Sequence, residues 1–158
     1  MATISSPRNR HTTHRRRHAL GFTLIETMIT VGIAGVLSSV AYPSLESQVL
    51  RARRSDAIVA LLDAQLGEER FRANHASYGS LAEAGLRASS PGGHYRIDVV
   101  SSSATGFELL ASAVSRQARD AKCRHLRLAL ADGTLTYASG SDATTTNGSD
   151  ANRACWSR

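Results

Sequence analysis

From Phe22 to Tyr42 the chain is apolar or small at nearly every position, and Glu26 is the one side chain among them that is charged at neutral pH in water. As a helix, about 21 residues rise roughly 31 Å, enough to cross the hydrocarbon core of a bilayer. Beyond Pro43 the pattern turns to helical periodicity, with Leu45, Val49, Ala52, Val59, Leu62 and Leu66 on one stripe that Asp56 interrupts. The same helix is therefore expected to run on to about Asn74 with this stripe against a core. Its other faces carry Arg51, Arg53, Arg54, Asp63, Glu68, Glu69, Arg70 and Arg72. Asn74 to Gly93 reads as a loop with a short helix at Leu81 to Leu86, ending in the breaker cluster Ser89-Ser90-Pro91-Gly92-Gly93.

After the breakers the period becomes two. Tyr95, Ile97 and Val99 alternate with Arg96 and Asp98; Phe107, Leu109, Ala111 and Ala113 follow a Ser-rich turn; Leu126, Leu128 and Leu130 alternate with Arg127 and Ala129. Asp132-Gly133 is a hairpin turn, and Thr134 to Tyr137 returns. About four antiparallel strands and one long helix make an α+β fold, with the helix laid on one face of the sheet. There is no internal repeat, and the length suits one domain.

Charge changes the picture at the start of the chain. Residues 1 to 21 hold Arg8, Arg10, Arg15, Arg16 and Arg17, no acid and almost no bulky apolar residue, as a cytoplasmic flank does under the positive-inside rule. The net charge of +6 depends on them: taking five arginines from 19 basic residues leaves 14 against 13 acids, about +1. Overall basicity is thus no argument for nucleic-acid binding, and a local patch would be needed.

Glu26 is the anomaly of the apolar run, since a charge at the centre of a bilayer helix costs roughly 2.5 to 3.5 kcal/mol on insertion scales. If the chain is cut after Gly21, the new amine of Phe22 lies four residues from Glu26, one helical turn away. The helix dipole also favours an acid in the first turn. An ordinary secretory signal peptide, cleaved after the small-x-small run Ser39-Val40-Ala41, is a rival, although this apolar run exceeds the usual h-region. A plain uncleaved anchor is another, but it leaves Glu26 without a cation.

Gly21-Phe22-Thr23-Leu24-Ile25-Glu26, the apolar helix and Ala41-Tyr42-Pro43 together resemble the leader and N-terminal helix of type IV pilins and type II secretion pseudopilins. The resemblance implies a leader at residues 1–21, a membrane and filament-core helix at 22–43 and a periplasmic head domain at 44–158. It implies that a prepilin peptidase cuts between Gly21 and Phe22 and N-methylates Phe22. Glu26 would pair with the Phe22 amine of a neighbouring subunit, and Pro43, with Gly32 and Gly35, would mark where the helix bends. Thr27 stands where the family usually has leucine. The partners implied are other pilin subunits, the inner-membrane assembly machinery and the membrane. The destination is an extracellular pilus serving twitching motility or adhesion.

The tail from Ser139 to Ala154 is rich in Ser, Thr, Asn, Asp and Gly and would be floppy by composition. Cys123 and Cys155, the two cysteines of the chain, fall on the periplasmic side, where a disulfide persists. Closing a loop of about 32 residues would stabilise the fold by roughly 3 to 4 kcal/mol. Cys123, Leu126, Leu128, Gly133, Thr134 and Cys155-Trp156 resemble the C-terminal half of small minor pilins of the PilE type, with Arg124 where glycine is common. A major pilin or a pseudopilin remains an alternative within the same class.

Candidate chemistry is sparse. His11, His14, His18, His75, His94 and His125 show no metal-ligand spacing, and no nucleophile elbow, Cys-x-x-Cys or phosphate loop occurs. The chain reads as a peptidase substrate rather than an enzyme, without cofactor. Asp142, Asn147, Asp150 and Asn152 offer oxygen to calcium but lack a calcium-loop signature. Arg116, Arg119, Lys122, Arg124 and Arg127 crowd a dozen residues, and a Cys123–Cys155 bridge would bring Arg153 and Arg158 to them. This is the candidate DNA-binding patch, by sequence-independent contact with phosphates, unless acids such as Glu108 or Asp150 balance it.

Overall fold

The computed structural model describes residues 21–156, the side chains of 40–43 excepted. The arginine-rich segment before Gly21, expected as a leader, the side chain of Pro43, expected at a bend, and the candidate DNA contact Arg158 lie outside the described residues. The chain divides into two units, one ending at Ser39 and one beginning at Val40.

Helix α1 spans Leu24–Arg72. At its start the Glu26 backbone N–H donates to Thr23 Oγ1 at 3.3 Å, a side-chain N-cap at the Thr-x-x-Glu spacing of a capping box. In the first unit the hydroxyls of Thr27, Thr30, Ser38 and Ser39 donate to carbonyls of the preceding turn at 2.7 to 2.9 Å, so these four donors are met within the helix. Leu24, Ile25, Ile29, Ile33 and Val36 are all exposed. No single helix among the described residues is long and apolar enough to cross a membrane. Leu24–Ser39 and Ser44–Arg72 together meet that test by length and composition.

In the second unit the helix face that meets the core is not the expected one. Leu45, Val49, Val59, Leu62 and Leu66 are exposed, from 45% at Leu62 to 61% at Leu45, and Ala52 is exposed as well. The buried positions are Ala57, Ala60, Leu61 and Ala64, flanked by Arg54 and Glu68, which are buried too. Alanines let a helix lie close to a sheet, so the shape of this face, rather than its hydrophobicity, selects it.

Strands β1 (Tyr95–Ser102), β2 (Gly106–Ala113), β3 (His125–Ala131) and β4 (Thr134–Gly140) form one antiparallel sheet in chain order. Ile97 opposes Ala111, Ala111 opposes Leu126, and Leu109 opposes Leu128. These side chains join the four helix residues in one core with Tyr95, Phe107, the two cysteines and Trp156. A register shift between Val99 and Ser101 marks a bulge. Asp132 and Gly133 both have positive φ, 46° and 79°, as a two-residue turn of the type I′ kind requires. At Gly106 an added Cβ would sit 2.1 Å from the Leu130 carbonyl oxygen, so the strand pairing itself excludes a side chain.

One local expectation changes, and the tail is tied down as its two cysteines indicate. Leu81 to Leu86 forms turns rather than a helix. Ser80 and Glu83 close a reciprocal capping box, with the Ser80 N–H on Glu83 Oε2 at 2.8 Å, but Gly85 at φ +64° ends the turn at once. The tail, floppy by composition, contains helix α2 (Ser149–Cys155). The Cys123–Cys155 disulfide holds it, with Cα atoms 5.5 Å apart. Trp156 Nε1 donates to the Ala138 carbonyl at 3.0 Å, and Asn152 Nδ2 donates to that of Tyr137 at 2.9 Å. Tyr137 and Trp156 meet edge to face.

Candidate functional site

The residues singled out in the sequence fall into two groups. Gly21, Phe22 and Glu26 stand at the start of α1. All three are exposed, Phe22 at 80%, and Glu26 takes part in no ion pair among the described residues. A side chain added at Gly21, Gly32 or Gly35 would meet nothing within 4 Å among the described residues, so packing among them does not explain those glycines.

The second group is the cationic cluster after β2, which the fold divides. Arg116 and Arg119 belong to a 3-10 helix, Ser115–Arg119, and Arg119 Nη1 pairs with Glu46 Oε1 of α1 at 2.9 Å. Arg127 pairs with Glu108 at 3.3 Å across β2 and β3 and donates to the Ala143 carbonyl. Arg153 pairs with Asp150 within α2. Glu108 and Asp150 thus neutralise two members of the candidate patch. Lys122 and Arg124 form no ion pair among the described residues; Lys122 is exposed, and Arg124 Nε donates to the Ala118 carbonyl at 2.9 Å. The disulfide draws α2 alongside them, and Asn147 Nδ2 donates to the Lys122 carbonyl at 2.7 Å. Burial, reinforced by the Arg124 guanidinium, holds the His125 pKa below its usual value, so this ring is neutral at physiological pH.

Of the residues considered for calcium, Asp142, Asp150 and Asn152 use side-chain oxygen within the fold. Asp142 accepts from the hydroxyl and N–H of Thr144, which lower its pKa, and Asp150 takes Arg153. Asn152 accepts from the Ser139 hydroxyl at 2.8 Å.

A buried polar network appears that sequence reasoning missed. Arg54 Nε and Nη2 donate to both carboxylate oxygens of Asp120, at 2.7 and 2.9 Å, and Nη1 donates to the Ala154 carbonyl at 3.0 Å. One guanidinium thereby joins α1, the segment before Cys123 and the end of α2. Gln117 Nε2 donates to the Tyr95 hydroxyl and the Leu50 carbonyl. Burial pushes the Tyr95 phenol up to about 12. Arg54 and Asp120 lie 66 residues apart, and no local pattern announces such a pair. Asp56, which breaks the apolar stripe, is an acceptor for the breaker loop. Burial alone would raise its pKa, but bonds from the Ser90 hydroxyl and the N–H groups of Gly92 and His94 outweigh it and lower it.

A long helix on a four-stranded antiparallel sheet, a bridged C-terminal tail and an apolar segment behind an arginine-rich flank define a class of filament subunits. The known proteins agree. A family model described as the type IV minor pilin ComP, DNA uptake sequence receptor, matches residues 43–127, more than half of the chain. The prokaryotic N-terminal methylation motif matches residues 16–42. The chain belongs to the type IV pilin family. It is 37% identical over 71 residues to a fimbrial protein of Neisseria meningitidis serogroup B, covering 44% of this chain and 42% of that protein. To a type IV major pilin protein PilE1 of Neisseria gonorrhoeae it is 36% identical over 58 residues, covering 37% of this chain and 35% of that protein. These matches span less than half the length of either relative.

Proposed function

We propose that the chain is a minor type IV pilin. In this reading residues 1–21 are a leader, 22–43 the membrane and filament-core helix, and 44–158 a head domain on the periplasmic side of the inner membrane. A prepilin peptidase cuts between Gly21 and Phe22 and methylates the Phe22 amine. The open surroundings of Gly21 fit a glycine required by an enzyme rather than by the fold. The assembly machinery then draws the subunit into an extracellular pilus. Glu26 sets the stagger of subunits by taking the Phe22 amine of a neighbour as its cation, and Pro43 marks the bend of the helix. The work done is polymerisation.

The observation that carries this reading is the outward stripe of α1. Leu45, Val49, Val59, Leu62 and Leu66 stay uncovered while alanines fill the core-facing side. A lone soluble domain rarely leaves such a row open, whereas a subunit that packs helix on helix needs it. Glu26→Val tests the stagger: the variant is expected in the membrane and cleaved, but depleted from sheared pili. Wild-type incorporation would overturn this role.

A second reading, a pilin that receives DNA for uptake, is favoured by the family model over residues 43–127. The exposed Lys122 beside Arg124 supplies phosphate-binding charge, Arg127 and Arg153 contribute less because acids already pair with them, and Arg158 adds a cation in sequence. Titrating full-length processed chain in detergent with duplex DNA across a salt series decides it. Affinity that falls steeply with salt and is lost in Lys122→Gln/Arg124→Gln supports the receptor; no binding at low salt excludes it.

A further inference from the structure

The cationic cluster that the sequence presents as one patch is two, and the half that turns toward the base of α1 builds a groove of its own. The groove is about 440 Å³, and Leu45, Glu46, Val49 and Arg53 of α1 line it with Arg116 and Arg119 of the 3-10 helix. Three guanidinium groups face one carboxylate. Glu46 is spent on Arg119 at 2.9 Å, and Arg53 and Arg116 form no ion pair among the described residues. The remainder of the lining is aliphatic, with Leu45 61% and Val49 46% exposed. The site thus combines an excess of positive charge with uncovered apolar surface.

Chain connectivity fixes where this groove works before a pilus forms. Glu46 is four residues past Tyr42 in helix α1, so it lies within about 6 Å of helical rise of the end of the apolar run. The polar layer on each side of a bilayer's hydrocarbon core is roughly 5 to 7 Å deep. Arg119, bonded to Glu46, is held to the same level. We propose that this groove binds the phosphate of an anionic phospholipid in the outer leaflet of the inner membrane. The acyl chain lies on Leu45 and Val49, and the headgroup phosphodiester takes Arg53 and Arg116, with Arg119 shared with Glu46. DNA would use the cations but leave the aliphatic wall without a partner, which is why a lipid fits better. The proposal rests on the membrane reading given above. It adds a lipid-dependent resting place for the head, one the subunit must leave when extracted into a filament.

The test uses the full-length processed chain in nanodiscs of phosphatidylcholine alone or mixed with phosphatidylglycerol, and counts co-purifying lipids by native mass spectrometry. Retention of phosphatidylglycerol over phosphatidylcholine is expected. Each cation near an anionic surface contributes about fivefold to association, so Arg53→Gln/Arg116→Gln/Arg119→Gln should lower the preference by at least tenfold or so. Glu46→Gln, which frees Arg119, should strengthen it, and this opposite sign guards against a triple variant that merely misfolds. Arg70→Gln/Arg87→Gln/Arg96→Gln, with the same charge removed elsewhere, should retain the lipid. An unchanged preference in the groove variants, equal loss in the distant variant, or displacement of the lipid by millimolar inorganic phosphate would overturn the proposal. So would a dependence of duplex DNA binding, but not lipid retention, on the three groove arginines. Failure to enter phosphatidylcholine nanodiscs would overturn the membrane reading itself.

Discussion

Three segments far apart in sequence meet on the Arg54 guanidinium. Removing it leaves Asp120 buried and uncompensated, so Arg54→Met is expected to cost about 3 to 5 kcal/mol, measured by denaturant unfolding. A loss below about 1 kcal/mol, as at an exposed pair, would contradict the assignment. Glu68 is strained in the opposite sense. It is fully buried, one carboxylate oxygen accepts the Gly79 N–H at 3.0 Å, and the other has no hydrogen-bond partner among the described residues. Burial therefore raises its pKa. A raised carboxyl pKa means that the folded state holds the proton more tightly than the unfolded chain. Its unfavourable contribution is thus absent below the unfolded carboxyl value and grows as pH rises to the folded one. Glu68→Gln keeps the acceptor and removes the charge. It should melt higher than the parent at about pH 8, with the gap closing toward about pH 4. A variant that melts no higher at the alkaline end would refute this.

At the scale of elements, the strands were legible and the helix face was not. Alternation placed Tyr95, Ile97, Leu109, Ala111, Leu126 and Leu128 correctly inside, since a strand's period of two depends on little else. On α1 the branched aliphatics that dominate a hydrophobicity pattern face out, while the buried face is spelled Arg54, Ala57, Ala60, Leu61, Ala64 and Glu68. Alanine weighs little in such a pattern, and two buried charges disguise the rest; their partners, Asp120 and Gly79, are set by tertiary structure. Val59→Ser/Leu62→Ser/Leu66→Ser should therefore change head stability only slightly, within about 0.5 kcal/mol per site. It should nonetheless deplete the subunit from pili, as read by unfolding midpoint and pilus immunoblot. A collapse in stability would mean that the stripe packs within the chain after all. The tail offers the converse lesson. Its composition indicates disorder, yet the bridge, Trp156 and Asn152 order it, and Cys155→Ser should cost roughly 3 to 4 kcal/mol by the loop-closure estimate.

For the molecule as a whole, family and fold class were readable because the two ends carry the most specific residues, Gly21-Phe22 with Glu26 at one and the Cys123–Cys155 bridge at the other. The distribution of cations was not readable, because a linear cluster says nothing of which arginines find acids. In the fold, Glu46, Glu108 and Asp150 claim Arg119, Arg127 and Arg153. The central claim is that this chain is processed at Gly21 and built into a filament with its bridge intact. Intact-mass spectrometry of the subunit recovered from sheared pili tests it most directly. The account predicts one species that begins at a singly methylated Phe22 and is two hydrogens lighter than the reduced chain. A chain absent from pili, beginning at Tyr42, or still bearing the arginine leader would contradict it.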